Sequence, residues 1–160
     1  MRYGGVIYND IAAAPGLCVS FFVQGCPIKC PGCHNPETQD FDGGIEFTQE
    51  VLNTIINSLT AQGIQRSFCL MGGEPLCDEN LFLSYMVINT VKEKVPNAPI
   101  YIWSGYTYEQ LISRNNTKIN GILETADYLI DGPFIQEQRD LSLEMRGSRN
   151  QRIIDLKEKI

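Results

Sequence analysis

Short apolar runs alternate with amphipathic stretches along this chain, and the alternation predicts its elements. Val19-Ser20-Phe21-Phe22-Val23 is β-branched and aromatic, the signature of a buried strand. Ser67-Phe68-Cys69-Leu70-Met71, Ile100-Tyr101-Ile102-Trp103 and Asp127-Tyr128-Leu129-Ile130 repeat that signature as second, third and fourth strands. Helical periods lie between them. One helix begins at Thr48, stapled by Phe47 and Leu52, with Val51, Leu52, Ile55, Ile56 and Leu59 on one face and Gly63 at its end. A second starts from an N-cap at Asp78, turns Leu81, Phe82, Tyr85 and Met86 inward, and stops before Pro96. Thr107 and Gln110 form a capping box for a short third helix, followed by a polar loop over residues 114–118. Residues 1–18 read as an irregular lead-in with a turn at Pro15-Gly16, and residues 34–46 as a polar stretch turning at Gly43-Gly44. The tail offers one further short strand at Ile153-Ile154.

The order is β-loop-α, repeated, within one domain spanning residues 1–160. Right-handed crossovers then predict α/β architecture, a parallel sheet with helices outside. The expected form is a partial (β/α) barrel with parallel strands, smaller than an eight-fold one. Functional groups in such sheets gather at the C-terminal ends of the strands. The segment after each strand here is polar or glycine-rich: a cysteine loop at 26–33, Gly72-Gly73-Glu74-Pro75, Ser104-Gly105-Tyr106 and Asp131-Gly132. One rim should carry all four.

The 160 residues are 43% hydrophobic and 20% charged, the balance of an ordinary globular protein. A net charge of −6 leaves no basic stripe to neutralise phosphates, which argues against a nucleic-acid partner. No apolar run approaches a membrane span, and Met1-Arg2-Tyr3-Gly4-Gly5 carries no signal-peptide core. Six cysteines in that setting predict reduced thiols in the cytoplasm, not a disulfide framework.

The candidate chemistry sits in Cys26-Pro27-Ile28-Lys29-Cys30-Pro31-Gly32-Cys33, spaced C-x3-C-x2-C. Three thiols on one loop can hold three corners of a cubane cluster and leave the fourth iron for a substrate. The prolines limit the entropy lost on ordering, and the glycines admit a bulky core. Two other readings stay open from the loop itself. Cys30-Pro31-Gly32-Cys33 matches a thioredoxin-like redox pair, but Cys26 is then unexplained. A structural zinc site would need a fourth ligand, with His34 or a distant cysteine as candidates. Cys18, Cys69 and Cys77 read as packing residues.

The cysteine loop after a first strand, with Gly72-Gly73-Glu74-Pro75 after a second, resembles the radical S-adenosylmethionine superfamily. The resemblance implies a radical SAM-like fold in which Cys26, Cys30 and Cys33 hold a 4Fe-4S cluster. It further implies that the open iron chelates S-adenosylmethionine, while Gly72, Gly73, Glu74 and Pro75 form the site for its amino group. The residue types suit that role, since glycines bring backbone carbonyls close and a carboxylate accepts from an amine. Taken alone, this segment reads as a strand-to-helix turn; beside the cysteine loop it reads as the amino-group site. Many members carry an aromatic residue before the third cysteine, against the adenine. Gly32 stands there in this chain, and His34 is the candidate substitute, or else an exposed loop histidine.

A narrower resemblance covers nearly the whole chain. Cys33-His34-Asn35, Trp103-Ser104-Gly105-Tyr106, Ile130-Asp131-Gly132 and the run from Arg146 to Arg152 are similar to the activating-enzyme family of anaerobic ribonucleoside-triphosphate reductase. That implies reductive cleavage of S-adenosylmethionine and a glycyl radical on the large subunit of the reductase, with reduced flavodoxin or ferredoxin as electron donor. Ser104 and Asp131 would line the cofactor pocket. The arginine-rich part of the tail at 133–160 would bind the cofactor carboxylate or the partner, or be a solvated turn. A radical enzyme acting on a small molecule, and a non-enzymatic iron–sulfur or zinc module, are the competing classes.

Overall fold

A computed structural model describes residues 1–158. Its elements run β1 (Arg2–Asp10), β2 (Cys18–Val23), β3 (Ile45–Glu46), α1 (Gln49–Ser58), β4 (Ser67–Gly72), α2 (Asp78–Lys94), β5 (Ile100–Trp103), α3 (Tyr108–Ser113), α4 (Thr117–Thr125), β6 (Tyr128–Asp131) and β7 (Arg152–Asp155). The strands form one seven-stranded sheet in the order β3-β1-β2-β4-β5-β6-β7. Its middle, β2-β4-β5-β6, is parallel, as the β-loop-α order requires. The expectation of parallel strands throughout is corrected at the margins, where β1, β3 and β7 pair antiparallel. No helix among the described residues is long and apolar enough to cross a membrane.

Side chains alternate across a strand, so the sheet sorts its residues into two layers. Val19, Phe21 and Val23 of β2, Phe68 and Leu70 of β4, Ile100 and Ile102 of β5 and Leu129 of β6 face the helices. They meet Leu52, Ile55 and Leu59 from α1 and its end, Leu83, Val87, Ile88 and Val91 of α2, and Ile119, Ile122 and Leu123 of α4. The opposite layer holds Cys18, Cys69, Tyr101 and Ile130, with Met71, Trp103, Tyr128 and Ile153 packed against them. Among the described residues no helix contributes to it; loop residues Ala13, Ala14 and Met145 do.

Two helix starts form as the sequence suggests. Thr48 accepts from the Val51 N–H, and Thr107 makes the reciprocal capping box with Gln110. Four expectations are corrected. The lead-in contains the nine-residue strand β1, whose Gly4-Gly5 pair obscures its alternation and sits at an irregularity in the β1–β2 register. The polar loop gives way at Thr117 to α4, capped by Asn116, which accepts from the Lys118 and Ile119 N–H groups. Asp78 is the first residue of α2 and ion-pairs with Arg114, while Cys77 is the cap residue. Phe82 is 57% exposed, because the face of α2 that meets the sheet runs through Leu83, Val87, Ile88 and Val91.

This division of faces has a direct test in urea unfolding of the apo protein. Phe68→Ala empties a fully buried site and should lower stability by about 3–5 kcal/mol. Phe82→Ala should stay within about 0.5 kcal/mol, as exposed positions do. The reverse ranking would refute the assignment of α2.

Candidate functional site

The loops that follow β2, β4, β5 and β6 meet in one cleft of about 170 Å³. Cys26, Cys30 and Cys33 line it together with Gly72, Gly73, Glu74, Ser104 and Gly105. Three thiols and four other candidate residues, Gly72, Gly73, Glu74 and Ser104, from the second and third rim segments are therefore brought together.

The cysteine loop is held at both ends. The Gly25 N–H donates to the Thr38 carbonyl at 2.7 Å, and the Cys26 N–H to the Gln39 carbonyl at 3.1 Å. Inside it, Cys33 N–H closes onto the Cys30 carbonyl at 3.1 Å, and the Cys33 thiol accepts from the Asn35 N–H at 3.4 Å. Lys29 (φ 51°) and Gly32 (φ 75°) take left-handed backbone, which turns the loop between successive cysteines. Burial pushes the Cys26 and Cys30 thiols up, against hydrogen bonds from backbone groups around them. A positive metal centre would reverse that balance and hold the thiolates.

The glycines of the second loop allow contact between loops. A Cβ on Gly73 would lie 2.2 Å from the Gly25 carbonyl oxygen, and one on Gly72 would lie 2.8 Å from the backbone of Phe22 and Val23. Glu74 is 1% exposed. Its Oε1 accepts from Ser104 Oγ at 2.7 Å and the Leu76 N–H at 3.0 Å, and its Oε2 from the Gly105 N–H at 2.7 Å. Burial pushes its pKa up to about 7, opposed by those donors and by Arg114. A carboxylate offers about four acceptor positions, so one on Oε2 is left over.

The remaining predicted residues stand beside the cleft, outside its lining. Pro75 is buried, and its carbonyl accepts from Ser84 Oγ at 2.7 Å. His34 is exposed, with its ring 4.9 Å from that of Phe134. Asp131 is 1% exposed and accepts from Arg152 Nε at 3.0 Å and from the Tyr108 N–H at 2.8 Å. Its neighbours Ile130 and Gly132 line the cleft in its place.

Sequence reasoning missed Phe134, Trp103 and Gln151 as lining residues. Gln151 was legible only as part of the tail motif. Its Oε1 accepts from the Gly147 and Ser148 N–H groups, and its Nε2 donates to the Gly132 carbonyl at 3.0 Å. The tail is thereby clamped to the β6 loop, so it is not a loose solvated turn. Phe134 packs beside Gly32: a Cβ there would meet its ring at 3.3 Å.

Among the described residues, no three His, Cys, Asp or Glu side chains converge on one metal-ion position. The thiols are instead distributed along a cavity wall. A cubane cluster, whose irons are separate corners, asks for ligands placed in that way, and a donor set of three thiols suits three of its corners.

Comparison with known proteins points the same way. A family model described as a 4Fe-4S single cluster domain matches residues 12–154. An anaerobic ribonucleoside-triphosphate reductase-activating protein of Vibrio cholerae is 38% identical over 152 residues, which is 94% of this chain and 96% of the relative. The protein of the same name in Escherichia coli K12 is 34% identical over 94% of this chain and 96% of its own. The one in Enterobacteria phage T4 is 32% identical over 96% of this chain and 93% of its own.

The buried carboxyl of Glu74 should be visible in the pH dependence of stability. Its folded pKa is raised to about 7, so the protonated form favours the folded state. That contribution is complete below its unfolded pKa, roughly 4.5, and is lost as pH rises through about 7. Between those limits the apo protein should lose roughly 1–3 kcal/mol from this group. Glu74→Gln cannot titrate and should remove that slope in urea midpoints measured across the range. An unchanged slope would show that Glu74 is already ionised at low pH.

Proposed function

The chain belongs to the family of anaerobic ribonucleoside-triphosphate reductase-activating proteins, within the 4Fe-4S single cluster domains, and we propose from that membership that it is an enzyme raising a glycyl radical on anaerobic ribonucleoside-triphosphate reductase. The observation that carries this reading is the meeting of Cys26, Cys30 and Cys33 with Gly72, Gly73, Glu74 and Ser104 in one cleft.

In this reading Cys26, Cys30 and Cys33 hold the cluster as thiolates. Gly72 and Gly73 present backbone, and Glu74 its remaining Oε2 acceptor position, to the amino group of S-adenosylmethionine. Ser104 fixes that carboxylate, donating to Oε1 while its own oxygen accepts from the Tyr106 N–H at 3.1 Å. When bound, the cluster and S-adenosylmethionine supply an electron and a carbon-centred radical able to take a hydrogen atom from a glycine. Met71, Trp103 and Ile130 give the cleft an apolar floor that excludes water. Asp131 and Pro75 act behind the lining by fixing the loops, and His34 stands at the margin with Phe134. The arginines of the tail lie outside the cleft lining, which argues against their holding the cofactor carboxylate.

The same reading takes the architecture as a partial (β/α) barrel of the radical SAM kind. What supports it is that β2, β4, β5 and β6 lie side by side in chain order, as barrel strands do, with helices packed against one face only. It sets the reaction in the cytoplasm, with reduced flavodoxin or ferredoxin as donor.

Anaerobic reconstitution is the test. The protein should take up about four irons per chain, as a cubane requires. The electron paramagnetic resonance signal of the reduced protein should change on adding S-adenosylmethionine, and a stable glycyl radical should then form on the reductase. Cys30→Ala should lose iron and all later signals, whereas Cys69→Ala should retain them. Full iron retention in Cys30→Ala would overturn the ligand assignment. Formation of 5′-deoxyadenosine without a radical on the reductase would overturn the substrate.

A further inference from the structure

Backbone bonds join the loop after β2 to the loop after β4. The Gly73 N–H donates to the Val23 carbonyl at 3.0 Å, and the Glu74 N–H to the Gly25 carbonyl at 2.9 Å. One side chain joins the same loops. Asn80, the third residue of α2, is 6% exposed. Its Nδ2 donates to the Gly25 carbonyl and to the Glu74 carbonyl, each at 3.0 Å. An amide nitrogen has two hydrogens, and both are spent on these carbonyls. Asparagine is a weak helix former, and burying its amide is unfavourable without partners. Its place in the first turn of α2 is explained by the partners it finds there.

Both carbonyls belong to peptide units that frame the cleft. A peptide unit is planar, so fixing its oxygen orients the Cα on either side. The Gly25 carbonyl and the Cys26 N–H are one such unit, and the Gln39 carbonyl holds the N–H from the other side. The direction in which Cys26 leaves the backbone is thereby set. The Glu74 carbonyl belongs to the unit that joins Glu74 to Pro75. Proline has no N–H, so that carbonyl is the unit's one hydrogen-bonding group. The Cys77 thiol donates to it at 3.1 Å, beside the Asn80 amide. Ser104 and Gly105 fix the Glu74 carboxylate, and Asn80 fixes the backbone that carries it.

We propose that Asn80 is a positioning residue for the reaction, setting the placement of the Glu74 carboxylate relative to the thiol of Cys26. It stands outside the cleft lining and acts through the two carbonyls. The inference rests on the cluster reading, in which S-adenosylmethionine must meet the open iron and Glu74 at once. An error in their spacing then weakens its binding and slows its cleavage. A misplacement of about 1 Å can cost about a hundredfold in rate. The thiols themselves share one loop, tied to the segment that follows it through Thr38 and Gln39, so they hold iron without Asn80.

The test compares Asn80→Ala with Ile88→Ala, which removes buried packing further along α2 and lowers stability without touching either loop. Asn80→Asp, of the same shape but with no N–H to donate, is the second variant if the alanine form does not fold. After anaerobic reconstitution the Asn80 variant should hold about four irons, as the wild type does. The concentration of S-adenosylmethionine that half-completes the change in its electron paramagnetic resonance signal should rise about tenfold or more. Ile88→Ala should keep the wild-type value. In the apo protein, hydrogen exchange of the Glu74 amide should quicken in the Asn80 variant. Wild-type cofactor affinity or Glu74 exchange in that variant would overturn the proposal. So would an equal loss of affinity in Ile88→Ala, which would reduce Asn80 to a support of α2, or loss of iron, which would confine it to the cysteine loop. A wild-type chain that takes up no iron would instead defeat the cluster reading, and this proposal with it.

Discussion

The cleft depends on how closely the loop after β2 approaches the loop after β4. At the Gly25 carbonyl the two are joined: it accepts from the Glu74 N–H at 2.9 Å and from Asn80 Nδ2 at 3.0 Å. Only glycine at position 73 permits that approach. The ties continue around the rim. Glu74 binds Ser104 and Gly105 of the β5 loop; the Gly132 N–H of the β6 loop donates to the Tyr106 carbonyl at 3.2 Å; Gln151 then reaches the Gly132 carbonyl. Every rim segment is fixed to the next by a hydrogen bond, so the geometry around the thiols is set by a continuous sequence of contacts. Such a site is preorganised before any cofactor arrives, and its precision comes from scaffold packing.

Two carboxylates support that arrangement from buried positions, and they differ in how they are compensated. Asp131 has a cation: Arg152 bridges it to Glu109, at 46% side-chain exposure, where water screens the outer pair. Glu74 forms no ion pair among the described residues, and burial raises its pKa because its three neutral donors and Arg114 offset desolvation only in part. A buried carboxylate without a cation partner lowers stability when ionised, and here it lies where the β4 and β5 loops meet beside the three thiols. The cost falls at the residue that ties the β4 loop to the β5 loop beside the three thiols, and groups perturbed in this way cluster at functional sites.

The four central strands, two of the three expected helix starts and the cysteine loop were legible because each is written locally. β-branched runs, a capping box and close cysteine spacing need no tertiary information. β1 escaped notice because Gly4-Gly5 interrupts its alternation and because its pairing with β2 supplies what its propensity lacks. α4 was readable in principle, since Ile119, Ile122 and Leu123 recur at helical spacing, but the polar Asn115-Asn116 start masked it. Phe82 was misplaced because α2 is apolar on more than one side, and period alone does not select the buried face. The candidate site shows the same divide. Cys26, Cys30 and Cys33 lie within one loop, whereas the partnership of Glu74 with Ser104 spans 30 residues and exists only once β4 and β5 are adjacent.

The layer without helices explains how so short a chain can build a deep-seated site. Met71, Trp103 and Ile130 belong both to that layer and to the cleft lining. The floor of the cleft is thus the upper end of a packed apolar layer, continued below by the stacked Tyr101 and Tyr128 rings at 4.9 Å. Trp103 is further fixed by its indole N–H, which donates to the Met145 carbonyl at 2.8 Å. That bond draws the tail loop across the sheet and covers with irregular backbone what helices cover on the other face. The tail therefore has a packing task and a clamping task at once: Met145 closes the apolar layer while Gln151 fixes the rim. A chain that spends its helices on one face only can leave the strand ends of the other open, and that is where the three thiols stand.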